Sequence, residues 1–148
     1  MILLDDHLLR DLVAEELSTE LDAAIDEFAT TNLWLARLAG ALTHDGPGGA
    51  LSSGLRSLDD DAVSRFRREL RERIDEVTIV PMRDLVWSMA ELQQHHRNSA
   101  RMLSTAMAEA LAAAHHLDAT IAVASTDVGP GLQAAASADN VRFRVISR

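Results

Sequence analysis

Residues 2–9 are Ile-Leu-Leu-Asp-Asp-His-Leu-Leu, an apolar run that ends in an acid and continues into an amphipathic segment. Residues 120–127, Thr-Ile-Ala-Val-Ala-Ser-Thr-Asp, also place an acid shortly after an apolar run. Short apolar runs without polar alternation are typical of strands that are buried on both faces of a parallel sheet. We therefore expect Asp5 and Asp127 at the carboxyl ends of two such strands, where parallel α/β sheets bind their ligands.

Strand-like and helical segments alternate along the chain. Spacing of apolar residues, caps and composition predict helices over 7–17, 28–43, 59–74, 83–96, 101–116 and 130–138, with Thr30 or Thr31 as a cap. Strands are predicted over 2–5, 77–80, 120–125 and 141–146, the last at a sheet edge. Residues 46–49, Gly-Pro-Gly-Gly, predict a loop. This order predicts one α/β domain, 1–148, with a parallel sheet covered by helices on both faces.

Composition excludes several classes of site. The chain has 148 residues, 47% of them hydrophobic, which is enough to bury a core without covalent links. It has no cysteine, so disulfides, zinc–thiolate centres and cysteine nucleophiles are excluded. The N-terminus has no basic region before a long apolar one, and no apolar run approaches the ~18 residues of a membrane span. We expect a soluble, cytoplasmic protein.

The charge balance bears on partners. A net charge of −9 argues against non-specific binding to nucleic acid, which depends on a basic surface. The arginines of segment 65–73 alternate with acids, which is typical of a solvated helix face. With 3% aromatic residues there are few platforms on which single-stranded bases could stack.

Three stretches resemble the PIN-domain family of metal-dependent ribonucleases, which includes the toxins of many bacterial toxin–antitoxin pairs. Residues 2–9 resemble its opening strand and helix. Residues 109–114, Glu-Ala-Leu-Ala-Ala-Ala, resemble its acid-plus-alanine helix, with Glu in place of the usual Asp. Residues 124–127, Ala-Ser-Thr-Asp, resemble its strand-end hydroxyl and acid. The resemblance implies a three-layer PIN-like domain with a short, mainly parallel central sheet flanked by helices.

The resemblance also implies a site and its chemistry. Asp5, Glu109 and Asp127 would be the catalytic acids and would hold Mg²⁺ or Mn²⁺, hard cations that prefer carboxylate oxygens. Glu109 would either ligate the metal or orient a water on it. Ser125 or Thr126 would support the site by holding a carboxylate or a phosphate. The partners implied are RNA, an antitoxin or other protein, and a second copy in a homodimer.

One part of the family pattern is missing. PIN nucleases carry another acid on a helix after the first strand, whereas residues 30–38 contain no carboxylate and place Arg37 where the acid is expected. A guanidinium there would repel a metal, and we expect it to pair with Asp5. The acids considered as substitutes are Asp6, Asp11, Asp26 and Glu27. The alternatives to an active nuclease are a catalytically degenerate PIN-like domain that binds protein or RNA as a regulatory module, and an unrelated small doubly wound regulatory domain.

Histidines and tryptophans are expected to be structural. His7 is expected on the surface at the start of a helix, with a proton shuttle as the alternative. The pairs His95–His96 and His115–His116 are expected not to share a metal, because adjacent helical residues point about 100° apart. Trp34 and Trp87 have apolar neighbours and are expected in the core or in a dimer interface.

Overall fold

The computed structural model describes residues 1–22, 26–43, 51, 55, 58–97 and 102–147. The strands in these ranges are β1 (Ile2–Leu4), β2 (Phe28–Thr30), β3 (Thr78–Ile79), β4 (Thr120–Ala124) and β5 (Phe143–Ile146). The helices are α1 (Asp6–Val13), α2 (Asn32–Ala41), α3 (Asp60–Arg73), α4 (Met82–His95), α5 (Thr105–Leu117) and α6 (Pro130–Ala138). Two 3₁₀ turns, Ile74–Glu76 and Ser125–Asp127, follow α3 and β4. No helix within these ranges is both long and apolar enough to cross a membrane.

The five strands form one sheet in the order β3-β2-β1-β4-β5, and every described pair is parallel. Strand β1 lies at the centre, where Leu3 is paired with Ala29 of β2 on one side and with Ile121 of β4 on the other. The chain runs outward from β1 to β3 and then returns to lay β4 on the opposite side. The order of strands therefore reverses between β1 and β4, and ligands of open α/β sheets bind at such a point.

The core lies on both faces of the sheet. Leu3, Ile121 and Val123 pack towards the alanines of α5, which are buried over residues 108–114. On the other face, neighbouring strand residues such as Leu4 pack with α1. This alternation is the period of two that a strand imposes, and it confirms the predicted three-layer arrangement of helix, sheet and helix.

The prediction of a helix over 28–43 is wrong at its start. Phe28–Thr30 form β2, and α2 begins only at Asn32. Thr31 separates the two, because its side chain accepts a hydrogen bond from the Trp34 amide (3.1 Å) and caps α2. Three residues are too few to show a strand period. They become a strand because β1 and β3 supply hydrogen-bonding partners on both sides.

Other bounds differ by less. Helix α1 ends at Val13 rather than at 17, since Glu15 takes a positive φ of 59°. Helix α5 begins at Thr105 and is capped by Ser104. The predicted edge strand at the end of the chain is confirmed as β5. The predicted loop over 46–49 lies outside the described residues. Trp34 is buried in the core as expected.

Candidate functional site

The candidate site lies at the carboxyl ends of β1 and β4. Asp5 directly follows β1, and the turn Ser125–Asp127 directly follows β4. Because these two strands are neighbours in a parallel sheet, their carboxyl ends meet at the same edge. The structure thus brings Asp5 and Asp127 to the point where the strand order reverses.

Asp5 is a buried carboxylate that joins three elements. Its Oδ1 accepts a hydrogen bond from the Leu8 amide (2.8 Å) and caps α1, while its Oδ2 accepts one from the Ala124 amide (2.9 Å) at the end of β4. Burial raises the pKa of this carboxyl to about 7, because the cost of desolvating the charge exceeds the effect of the two amides. Asp5 is therefore held rigidly and readily takes up a proton near neutral pH.

Asp6 is completely buried, and neither of its carboxylate oxygens accepts a hydrogen bond. The Arg37 Nε lies 3.0 Å from its Oδ2, so the two form an ion pair by distance without hydrogen-bond geometry. Burial raises the pKa of Asp6, and Arg37 opposes that effect. Buried carboxylate oxygens normally have hydrogen-bond donors, so this side chain offers unused acceptors to a cation.

Asp127 and His7 complete a group of side chains whose ligand atoms could hold a metal ion. The His7 Nε2 lies 3.8 Å from the Asp127 Oδ2, and ligand atoms of Asp6, His7 and Asp127 all lie within 4.8 Å of one another. Two carboxylates and an imidazole suit a divalent cation such as Mn²⁺, and the carboxylates alone suit Mg²⁺. The expectation that His7 lies on the surface is wrong: its side chain is buried beneath the start of α1.

Arg37 lies over these carboxylates from α2. Besides its contact with Asp6, its Nη2 lies 3.7 Å from the Asp127 Oδ2. Arg37 therefore pairs with Asp6 and Asp127, and the expectation that it pairs with Asp5 is wrong. Its side chain is 52% exposed, so it can leave the carboxylates without crossing the core.

Glu109 is fully buried on α5 and makes three hydrogen bonds to the start of α2. Its Oε1 accepts from the Asn32 amide (2.9 Å) and from the Asn32 Nδ2 (2.8 Å), and its Oε2 accepts from the Leu33 amide (2.9 Å). A negative charge at a helix N-terminus is favourable in itself. These contacts make Glu109 a positioning residue for α2, and its role as a metal ligand stays a prediction.

The remaining predicted residues lie at different depths. Ser125 and Thr126 are exposed beside Asp127, and their supporting role stays a prediction. Among the acids considered as substitutes, Asp11 is buried and pairs with Arg10 (2.7 Å). Asp26 and Glu27 precede β2 and lie at the opposite, amino edge of the sheet, where they line a separate cavity of about 590 Å³. Asp6 is the one of these four acids that joins the candidate site.

A cavity of about 370 Å³ opens beside the acids. Asp5, Arg37 and Asp127 line one side of it, and Trp34 and Leu132 supply apolar walls. Gly131 at the start of α6 also lines it, and a Cβ there would come within 2.7 Å of the Met107 side chain. The charged cluster is thus reachable from a groove rather than sealed in the core.

The spacing of Asp6 from apolar residues indicates in the sequence that this acid is buried. Asp6 lies three and seven residues before Leu9 and Val13, and these intervals place all three on one face of a helix. A charged residue on an otherwise apolar helix face is unusual, because that face is normally buried, and it therefore indicates a candidate site residue. His7 has no comparable signal, because its burial depends on how α1 packs.

No family model matches the chain, and no curated protein sequence does. Solved structures do match it. One is the structure of FitAB bound to an IR36 DNA fragment, with 14% identity over 98% of this chain and 94% of that chain, at a TM-score of 0.62. Another is FitAcB from Neisseria gonorrhoeae, with 15% identity over 97% and 96% of the two chains, at a TM-score of 0.52. PAE2754 from Pyrobaculum aerophilum matches at a TM-score of 0.48, with 15% identity over 90% and 84%.

At these identities the likeness is one of fold. It spans nearly the whole length of both chains in the first two cases, and it agrees with the five-stranded parallel sheet and its flanking helices. The predicted three-layer α/β fold, with a short parallel sheet flanked by helices, is therefore confirmed, and it is consistent with the PIN-like fold that the sequence resemblance implies.

Proposed function

We propose that this chain is a PIN-like endoribonuclease that depends on Mg²⁺ or Mn²⁺ and acts as the toxin of a toxin–antitoxin pair. The observation that carries the proposal is the carboxylate of Asp6, which is buried without hydrogen bonds and lies beside Asp127 at the reversal point of the sheet. The sequence resemblance and the shared fold support it.

In this proposal Asp5, Asp6 and Asp127 hold the metal, and Glu109 acts mainly by fixing α2. The backbone amides of Leu8 and Ala124 hold the Asp5 oxygens in place. Asp5 would therefore lose little conformational entropy on binding a cation. A bound metal would supply a water of lowered pKa and polarise the phosphoryl group. Ser125 and Thr126, exposed at the rim, would hold a phosphate of the RNA backbone.

Arg37 has a defined part in the same proposal. With the metal absent, its guanidinium neutralises Asp6 and Asp127. A metal held by these carboxylates would repel the guanidinium, and the half-exposed side chain would then turn towards the groove. A guanidinium in that position suits a phosphate, which it binds with two parallel hydrogen bonds.

The test of the nuclease is cleavage of a structured RNA in Mn²⁺ by the wild type, Asp6→Asn and Asp127→Asn. Loss of a ligand is expected to lower the rate by about 100-fold or more, beyond the effect of typical outer-sphere partners. Asp75→Asn is the matched control, because Asp75 is an exposed acid beyond α3 and its replacement removes the same charge. Equal rates in all four proteins would show that any cleavage comes from elsewhere.

A second candidate function is supported by Arg37 itself. If the guanidinium stays on Asp6 and Asp127 permanently, the domain is a catalytically degenerate module that binds protein or RNA. That form predicts no cleavage and no rise in melting temperature at millimolar Mn²⁺, since only a cation that binds the folded state stabilises it. A metal-dependent rise without cleavage of any RNA offered would instead point to an intact site with an untested substrate.

We propose that this chain binds an antitoxin, and that the antitoxin supplies the basic surface for DNA that the acidic chain lacks. FitAB is a similar structure that is bound to DNA, whereas this chain has a net charge of −9. Contacts with DNA in a comparable complex would then come from the partner. A gene for a small DNA-binding protein beside the gene for this chain, and co-purification of the two products, would support this assignment.

A further inference from the structure

We propose that His95, His96 and Asp139 form a second metal site, separate from the acids at Asp5 and Asp127, which takes a zinc-class divalent cation. Ligand atoms of these three side chains lie within 4.8 Å of one another. They join the end of α4 to the residue that follows α6. The proposal does not depend on nuclease activity.

The two imidazoles face the two oxygens of one carboxylate. The His96 Nε2 lies 2.8 Å from the Asp139 Oδ2, and the His95 Nε2 lies 4.0 Å from the Asp139 Oδ1. Ligands bound at about 2.0–2.2 Å around a tetrahedral zinc lie roughly 3.3 Å apart. One observed distance is shorter and the other longer than that value, and they involve different oxygens of Asp139, so the side chains would have to move for all three to bind one cation.

His95 and His96 bring their rings together at the end of α4, although they are adjacent in the chain. His95 is the last residue of α4, and His96 lies beyond its end with φ −87° and ψ 4°. The ring centroids are 5.0 Å apart, with the planes at 89°. The expectation that adjacent histidines diverge applies within a helix, as at His115 and His116 inside α5, and not to this pair.

The three side chains of this proposed site differ in their exposure to solvent. The side chains of His96 and Asp139 are 8% and 12% exposed, and a buried hydrogen-bonded pair explains those two alone. His95 is 71% exposed, contacts the His96 ring and lies 4.0 Å from the second oxygen of the same carboxylate. A cation bound there would have all three side chains within reach as ligands.

The donor set indicates the kind of cation. Two imidazole nitrogens and one carboxylate oxygen suit Zn²⁺, whereas Mg²⁺ prefers an all-oxygen shell. The exposed side at His95 leaves room for entry and for a water as the fourth ligand. The second imidazole distinguishes this site from the cluster of Asp6, His7 and Asp127, which has two carboxylates and one imidazole.

The location gives such an ion a structural consequence. Asp139 follows α6, and the first turn of the same helix lines the cavity beside Asp127 through Gly131 and Leu132. A cation at Asp139 would tie α6 to α4 and so hold that wall of the cavity in place. We expect it to stabilise the folded chain rather than to take part in chemistry.

The test is titration of the full chain with ZnCl₂, followed by calorimetry and by the melting temperature. The wild type is expected to bind at micromolar Zn²⁺ with a rise in melting temperature. His95→Gln, at an exposed position outside the core, is expected to weaken binding at least about 10-fold. His115→Gln, which replaces an exposed histidine of the other pair, is expected to bind as the wild type does.

Asp127→Asn separates this site from the candidate active site. Unchanged zinc affinity in Asp127→Asn, with reduced affinity in His95→Gln, supports the proposal. The proposal is overturned if the wild type does not bind Zn²⁺, if His95→Gln binds it like the wild type, or if Asp127→Asn abolishes binding.

Discussion

Asp5 makes the stability of the metal-free protein depend on pH. Burial raises the pKa of its carboxyl from the ordinary 3.8 to about 7. Between these values the folded chain keeps a proton that the unfolded chain releases, so this stabilisation is full below about pH 3.8 and is lost as pH rises through about 7. The interval corresponds to roughly 4 kcal/mol at about 1.4 kcal/mol per pH unit.

Urea unfolding in EDTA between pH 5 and pH 8 measures this effect. The free energy of unfolding of the wild type is expected to fall with pH, and Asp5→Asn is expected to show a shallower decline. Some slope should remain, because burial also raises the pKa of Asp6. The exposed Asp75→Asn should keep the wild-type slope, and a wild-type slope in Asp5→Asn would contradict the assignment.

Arg37 is expected to compete with a cation for the same oxygens. Arg37→Gln removes a positive charge 3.0 Å from Asp6 and should raise Mn²⁺ affinity by about 10-fold, or about 1.4 kcal/mol. The same change leaves Asp6 without its counter-charge, so the metal-free protein should lose about 1–3 kcal/mol. Calorimetry with Mn²⁺ and urea unfolding measure the two effects.

Arg37→Gln should raise Mn²⁺ affinity and lower the stability of the metal-free protein. General damage to the fold would not raise the affinity, so the two explanations can be distinguished. Arg67→Gln is a useful comparison, since that arginine lies on α3 and donates to the Leu42 carbonyl away from the acids. It should leave Mn²⁺ affinity unchanged. Unchanged affinity in Arg37→Gln as well would show that the guanidinium and the cation occupy different places.

At the scale of elements, the start of α2 depends on two side chains from different parts of the chain. Thr31 caps it locally, and Glu109 accepts three hydrogen bonds from Asn32 and Leu33. Glu109→Ala leaves the partly buried backbone amides of Asn32 and Leu33 without this acceptor and should cost about 2–4 kcal/mol, more than the ~1 kcal/mol of Thr31→Ala. Chemical unfolding measures both.

Glu109→Gln distinguishes positioning from metal ligation. Glutamine keeps one acceptor oxygen for α2 but lacks the charge that a metal ligand supplies. If Glu109 only positions α2, this variant should lose stability while its Mn²⁺ affinity per folded molecule stays the same. A large loss of affinity would restore Glu109 to the ligand set.

Sequence patterns predicted the elements that carry their own signal. The apolar runs of β1 and β4 and the alanines of α5 need no knowledge of neighbours, and so Asp5 and Asp127 were placed correctly at strand ends. The sequence does not reveal β2, because three residues are too few to show an alternating pattern. They form a strand only through their hydrogen bonds to β1 and β3. The contact between Arg37 and Asp6 also cannot be predicted from the sequence, because it depends on the angle at which α1 and α2 pack.

At the scale of the whole molecule, α4 presents an exposed apolar surface. Trp87 is 80% exposed and Val86 49%, and neither helps to cover the core described above. Exposed tryptophans are frequent anchors of protein interfaces. We expect the homodimer that the sequence resemblance implies, or the proposed antitoxin, to cover this surface.

Sedimentation of the full chain tests the dimer. If Trp87 lies in its interface, Trp87→Ala should weaken self-association by about 2 kcal/mol or more without loss of the fold. Met102→Ala, at another exposed apolar side chain (75%) on a different segment, is the comparison. A wild type that stays monomeric at all concentrations assigns the surface to another partner.

The hydrogen bond from the Ala124 amide to Asp5 links residues 119 positions apart. During translation Asp5 is made 119 residues before Ala124, so Asp5, Asp6 and His7 precede their partners on β4 and at Asp127 by a long interval. Until then Asp5 lacks one of its two amide donors and the cluster lacks Asp127. A nascent chain of this design cannot assemble the candidate site until β4 and Asp127 have been made, and under the proposed function it could not cut RNA before that point.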